Sequence, residues 1–349
     1  MKTAAFGIAP VRAAAGGAGG SFVTYTTSTF RTRALQVPAF ARSRDLIVSL
    51  ISSLPINQYA LQWVGESYEE LQIPSEPWMS KPDPNATRQF TIAGTVDDLL
   101  FHGRAFWLVT RRYSATNLPA AFQWLPADEI TTPDQTGPRW FGPASQIEFQ
   151  GVKLNTADVI QFLSPFDGLM YTARTSIDIS ERLDQAARRF AQNEIAAGYI
   201  KIDGGTEPYE PEELQELAAE WSRMRRENAI GALQGASWVE FSSDPSKLQL
   251  VEARQHAMLT IANMVGVPPY LIGAPSGSSM TYQNAELARR DLWTLGAAPI
   301  AHAISETLSQ DHVIPRGRFC RLDFTMSVSD QENVDLPNEG APNAATPSV

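Results

Sequence analysis

Residues 261–282 read IANMVGVPPYLIGAPSGSSMTY, an apolar helical pattern that runs directly into prolines, glycines and serines. Reading backward from Val265, the residues Ala262, Ile261, Met258, Val251 and Leu248 share one stripe, which predicts an amphipathic helix over 245–265. Reading forward, the helix cannot continue, because Pro268 and Pro269 lack an amide hydrogen and crowd the preceding turn. The spacing predicts a loop over 266–282, anchored by the apolar Tyr270, Leu271 and Ile272 and longer than a simple connection requires. Upstream, 172–197 holds neither proline nor glycine, and Ile177, Leu183, Ala187, Phe190 and Ile195 recur among charged residues. That pattern predicts a long helix, roughly 35–40 Å at 1.5 Å per residue, ended by Gly198.

The two helices should pair as a hairpin with a head inserted between them. The head, 198–244, reads as a compact βαβ-like unit: a strand GYIKID at 198–203, a turn at Gly204 and Gly205, a helix over 211–228 opened by Glu210, Glu212 and Glu213, and a return strand at 238–241. Downstream, 284–310 reads as a long helix that must kink or break, since it contains Gly296 and Pro299. A strand over 319–328 follows.

The first half is different in character. Phe40, Ile47, Val48, Ile51 and Leu54 predict a helix from Pro38 to the stop at Pro55, and the next residues alternate as a strand with one buried face to Trp63. A proline-broken loop at 78–84 precedes a second helix over 90–101, closed by Gly103, and a strand at 105–112. Short apolar runs between 121 and 162, separated by turn residues, complete an α+β pattern. Alanine and glycine at 13–20 and the polar stretch 331–349 suit flexible ends.

Composition narrows the function classes. The chain has 349 residues, 43% of them hydrophobic, enough for a sizeable core. Its one cysteine, Cys320, can close no internal disulfide and has no CxxC partner. No secretory signal is legible, and the longest apolar run, 46–56, is broken by Ser49, Ser52, Ser53 and Pro55, which argues against membrane insertion. The net charge of −10 argues against a DNA-gripping surface, although ordinary solubilising charge explains the acidity equally well.

No catalytic constellation is evident. His102, His256, His302 and His312 are scattered without metal-ligand spacing, and the carboxylates Asp83, Asp97, Asp98, Asp128 and Asp134 suit turns and helix starts. No metal or cofactor is expected. The GAPSG at 273–277 resembles a nucleophile elbow without matching it. Two arginine groups have a second reading beside that of solvated helix faces: Arg223, Arg225 and Arg226 beside Trp221, and Arg289 and Arg290 beside Asp291, could contact partners, neighbouring subunits or phosphates.

Six segments taken in order resemble the portal family of long-tailed bacteriophages: RDLIVSLISSLP at 44–55, PWMSKPDPNAT at 77–87, LLFHGRAFWLV at 99–109, LSPFDGL at 163–169, IANMVGVPPYLIG at 261–273 and TYQNAE at 281–286. The resemblance implies a phage portal fold with an α/β wing, a two-helix stem, a βαβ-like clip, a tunnel loop and a kinked long helix. On this sequence it implies a flexible arm at 1–37, wing at 38–171, stem helices at 172–197 and 245–265, a clip at 198–244 and a tunnel-loop region at 266–282. The kinked helix and closing wing strand would fall at 283–328 and a disordered tail at 329–349, with the crown of larger relatives reduced or absent.

The same resemblance implies a dodecameric ring at one capsid vertex of the virion, made in the bacterial cytoplasm, through which double-stranded DNA is packaged and ejected. Its partners would be the terminase large subunit, then a head-tail adaptor, with the major capsid and scaffolding proteins around it. Pro275, Ser276, Gly277, Ser278, Ser279 and Met280 would lie nearest the DNA. Trp221, Arg223, Arg225 and Arg226 would face clip partners, and Arg289, Arg290 and Asp291 a neighbouring subunit. A head-completion or adaptor ring is the structural alternative, and a serine hydrolase using Ser276 the enzymatic one.

Overall fold

The computed structural model describes residues 30–135, 142–191, 198–202, 211–226, 236–240, 249–274 and 285–324. Helix α1, Phe30–Gln36, leads into α2, Pro38–Ser53. Pro38 occupies the first turn of α2, where its missing N–H is not needed and its fixed φ favours the helix. Leu54 is extended before Pro55, which stops α2 as expected. An arm flexible through residue 37 is corrected over 30–37. Ala34 and Val37 are buried there, Phe30 meets Phe101 edge-on at 6.4 Å, and Arg33 is paired with Asp178 and Glu181. Seven residues are too few for their periodicity to stand out from the polar stretch before them.

Strands β1 (Ile56–Val64) and β2 (Ser67–Ile73) form a hairpin turned by Gly65, and α3 (Arg88–His102) follows a single helical turn at Pro77–Ser80. Thr87 caps α3 by accepting from the Phe90 amide at 3.2 Å, and Gly103 ends it at φ 72°. Strands β3 (Arg104–Arg112) and β4 (Pro119–Leu125) come next. The short β5 (Ile130–Thr131), β6 (Ile147–Phe149) and β7 (Val152–Leu154) make a small sheet, and β8 (Val159–Leu163) returns to pair with β3. The run at Trp140 and Phe141 lies outside the described residues.

Helix α3 packs across β3 and against α2, so the core forms between the helices and the sheet β4–β3–β8. Trp107 is fully buried there, 5.2 Å from Phe122 and 5.0 Å from Phe162 between ring centroids, and its Nε1 donates to Thr95 Oγ1 at 2.8 Å. Arg31 and Arg44 both donate to the buried Asp97 carboxylate at 2.6 Å, fastening α1 and α2 to α3.

The adjacent Asp98 is also buried and accepts from Trp124 Nε1 at 2.9 Å and from the Ala127 amide at 3.1 Å. Burial pushes its carboxyl up to about 8, against these two hydrogen bonds, which favour the ionised form. Between the usual carboxylate range and about 8 the folded chain keeps a proton that the unfolded chain releases, so stability falls as pH rises through that window. Asp98→Asn keeps an acceptor oxygen and removes the ionisation. Denaturation midpoints taken from about pH 5 to about pH 8 are expected to become flatter in this variant, with its advantage over wild type growing toward the alkaline end.

In the second half, a turn at Leu169–Thr172 precedes α4, Arg174–Ala191. Its 18 residues span about 27 Å, and the remainder of the expected helix, 192–197, lies outside the described residues. Then come β9 (Gly198–Ile202), α5 (Pro211–Arg226), β10 (Ala236–Glu240) and α6 (Leu250–Val265). Helices α4 and α6 pack on each other, as the expected hairpin requires.

The insert corrects one expectation. Its order is strand, helix, strand, but β9 and β10 pair antiparallel, not as the parallel strands of a βαβ crossover. Gly198 lies opposite Glu240, so the chain enters and leaves the insert at the same end of the strand pair. A segment inserted between two antiparallel helices must start and finish in one place, and antiparallel pairing achieves this without a crossover.

The chain ends its described course with α7 (Ala285–Leu292), a π-helical turn at Trp293–Ala297, α8 (Ala298–Leu308) and β11 (Arg318–Leu322). β11 pairs with β1 to give the sheet order β11–β1–β2. Cys320 is buried in β11, and burial pushes its thiol up to about 12. The kink expected from Gly296 and Pro299 takes the form of the π turn, closed by the Ala298 amide donating to the Trp293 carbonyl.

Candidate functional site

The helical hairpin and the segment leaving it form the candidate site. Ile177 and Ser180 of α4 are buried, as are Ile261, Ala262 and Val265 of α6, while Arg254 bonds Asp184 across the pair at 2.9 Å. Between the hairpin and the start of α2 lies an apolar groove of about 360 Å³, lined by Val37, Pro38, Leu183, Val251, Met258 and Ile261.

Helix α6 ends at Gly266, φ 78°, with the Val267 amide donating to the Ala262 carbonyl at 2.9 Å. Pro268 and Pro269 then turn the chain through a 3₁₀ segment, Pro269–Ile272, to Gly273 at φ 76°. Two contacts fix this path. The Tyr270 hydroxyl donates to Asp291 Oδ2 at 3.0 Å, and burial together with that carboxylate pushes the hydroxyl up to about 12. Gly266 also lies backbone to backbone against the π turn: a Cβ on Gly266 would sit 3.0 Å from the Leu295 carbonyl oxygen, and one on Gly296 would sit 2.6 Å from the Gly266 oxygen.

That arrangement explains the π turn. Residue 295 supplies the i−4 carbonyl that Pro299, lacking an N–H, cannot bond in an α-helix. The wider turn places this region against Gly266 instead. The start of the 266–282 segment is therefore tied to the helix that follows it.

The expected site residues divide accordingly. Pro275, Ser276, Gly277, Ser278, Ser279 and Met280 lie outside the described residues. Trp221 is half-buried on α5, Arg223 is exposed and 3.7 Å from Glu220, and Arg225 and Arg226 end the helix. On α7, Arg290 is exposed and Arg289 half-buried, while Asp291 is engaged by Tyr270 of its own chain. The Tyr270–Asp291 and Gly266–Gly296 contacts escape a reading of sequence because their members stand far apart in the chain. The conjunction of Pro299 with a glycine three residues earlier is the signal that marks one of them. Among the described residues no group of three His, Cys, Asp or Glu side chains could hold a metal ion, and no helix is long and apolar enough to cross a membrane.

A family model for the phage portal protein matches residues 38–333. The chain is 26% identical over 274 residues to a probable portal protein of Streptomyces phage phiC31, covering 70% of this chain and 57% of that one. An uncharacterized protein of Rickettsia felis is 33% identical over 76 residues, covering 22% of this chain and 19% of its own length. The chain thus matches well under two thirds of the length of these curated relatives.

Among solved structures, an HK97 family phage portal protein from Corynebacterium diphtheriae superposes with a TM-score of 0.67 at 22% identity, over 87% of this chain and 97% of that one. A chain from the neck of a native gene transfer agent particle, computed with C12 symmetry, superposes with a TM-score of 0.59 at 19% identity, over 88% and 87%. The mixed α+β architecture is therefore that of the HK97-type portals. With the model spanning most of its length, this chain belongs to the phage portal protein family, whose members are structural proteins and not enzymes.

Proposed function

We propose that this chain assembles into a ring at one vertex of a phage capsid, in the neck of the virion, and that double-stranded DNA passes through the ring during packaging and ejection. The observation that carries this reading is the family match over 38–333, joined to a helical hairpin whose insert begins and ends at one point. The elements of 38–171 and the closing strand of 283–328 serve as the wing, the kinked helix of 283–328 lines the lumen, α4 and α6 are the stem, and the unit within 198–244 is the clip. The segment 266–282 holds the tunnel loop, with Pro275, Ser276, Gly277, Ser278, Ser279 and Met280 nearest the DNA. The net charge of −10 leaves acidic residues in excess of basic ones, which favours a duplex that slides past over one that is gripped.

In this reading the clip meets the terminase large subunit during packaging and a head-tail adaptor afterwards, through Trp221, Arg223, Arg225 and Arg226. Arg289 and Arg290 are the α7 side chains available to a neighbouring subunit, whereas Asp291 is already held by Tyr270. Negative-stain microscopy of the purified chain tests the proposal. A stalked ring with a central hole is the expected result. A flat ring would point to an adaptor, and a compact monomer at every concentration would overturn the ring itself.

A further inference from the structure

Beyond Ala60, β1 and β2 leave the body of the molecule as a two-stranded ribbon. Every residue of 61–72 is exposed, and neither face of the ribbon is covered by another described element. Such a ribbon is marginally stable by itself in water, and its exposed positions would ordinarily be polar. Here they are not: Leu61, Trp63 and Tyr68 are 54%, 56% and 67% exposed.

Register places these three on one face, because Trp63 is opposite Tyr68 and Leu61 is two residues from Trp63. The Trp63 and Tyr68 rings meet edge-on at 5.0 Å. The same face continues into the stacked pair of Tyr59 and Phe319, 5.6 Å apart, under the Arg321 guanidinium. Leu61, Trp63 and Tyr68 thus extend this face to the ribbon tip as an apolar patch beyond the Arg321–Glu70 pair, and no other described element covers it.

Charge identifies the occupant. The ribbon carries Glu66, Glu69 and Glu70 and no lysine or arginine; Glu70 is held by Arg321 of its own chain at 2.8 Å, which leaves Glu66 and Glu69 to set the charge of the tip. Two ribbons meeting symmetrically would set these carboxylates against each other, which disfavours a two-fold contact. A basic counterpart exists on the same chain: Arg174, Arg182 and Arg189 are exposed on α4 within about 80° of its circumference, and the one carboxylate on that arc, Asp178, is paired with Arg33 of α1. Ile179, half exposed, adds an apolar contact beside them.

We propose that the β1–β2 ribbon of each subunit docks on the arginine face of α4 in the next copy of this chain. An acidic, apolar tip meeting a basic helix face is a heterologous contact, and repetition of such a contact gives a ring when the rotation between copies closes. The inference rests on the ring reading above and deepens it by naming the surfaces that join.

Cys320 is buried, so an added surface thiol can be followed separately. Leu61→Cys is expected to react with a maleimide-PEG reagent at least about tenfold more slowly in the ring fraction than in the monomer fraction. Equal reactivity in the two overturns the docking, whatever a later partner does. Trp63→Ser with Tyr68→Ser removes no core side chain, and it is expected to raise the concentration for half-assembly about tenfold or more. Unchanged assembly overturns the proposal. A bismaleimide should link Trp63→Cys to Arg182→Cys as an inter-subunit ladder on a denaturing gel, and a protected ribbon with no ladder removes α4 as the receiving surface. If wild type forms no ring, the functional reading fails. If the ring forms with its ribbons free, only this inference does.

Discussion

Gly296→Ala is expected to destabilise the folded chain by roughly 2–3 kcal/mol, although alanine is the better helix former. Propensity alone favours the replacement by about 1 kcal/mol, since glycine loses more backbone freedom on folding. The contact reverses the sign. The new Cβ would lie 2.6 Å from the Gly266 carbonyl oxygen and 3.3 Å from Ile47 Cδ1, and the nearer obstacle is backbone, which has no rotamer to change. The π turn and the end of α6 must then separate, with loss of packing between α2, α6 and the turn. Guanidinium unfolding followed by tryptophan fluorescence measures the effect. A midpoint equal to or above wild type would mean that the two segments do not stay in contact. Ring formation is expected to suffer as well, because the separated segments lead into 266–282.

Trp107→Ala should be more damaging still, by roughly 3–5 kcal/mol. The side chain is fully buried, packed against Phe122 and Phe162, and its removal leaves a cavity that the rigid sheet β4–β3–β8 can fill only in part. The Thr95 hydroxyl loses the indole donor but still donates to the Thr91 carbonyl at 2.8 Å, so the cavity dominates the cost. Trp107→Phe retains most of the aromatic packing and should cost about a third as much. Denaturation midpoints of the two variants distinguish the contributions, and equal losses would show that the hydrogen bond, not the ring volume, carries the site.

These two positions illustrate what a sequence discloses. The strand containing Trp107 is legible because both its faces pack, Ala105, Trp107 and Val109 against one core and Phe106 and Leu108 against another, which makes a continuous apolar run. Helix α2 is legible because Pro38 and Pro55 bracket an unambiguous stripe. Strand β2 is not, since all of it but Ile73 faces solvent and no inside marks its pleat. For the same reason the alternation of β1 suggests a buried face along its length, whereas only the half beside β11 has one. The antiparallel pairing of β9 with β10 is equally invisible, because order along a chain does not state strand direction. In the candidate site, Pro299 and Gly296 announce a break in the helix, but that the break receives Gly266 depends on a contact thirty residues away. Asp291 is conspicuous beside two arginines, and its actual partner, Tyr270, is chosen by the fold.

The opposition of Gly198 and Glu240 has a consequence for how such chains can diversify. A unit whose two ends coincide is a cassette: it can be shortened, enlarged or exchanged for another with the same spacing, and the helices that carry it need not change length or direction. Surfaces that must match changing companions can therefore be replaced wholesale, while the scaffold that sets the geometry stays constant.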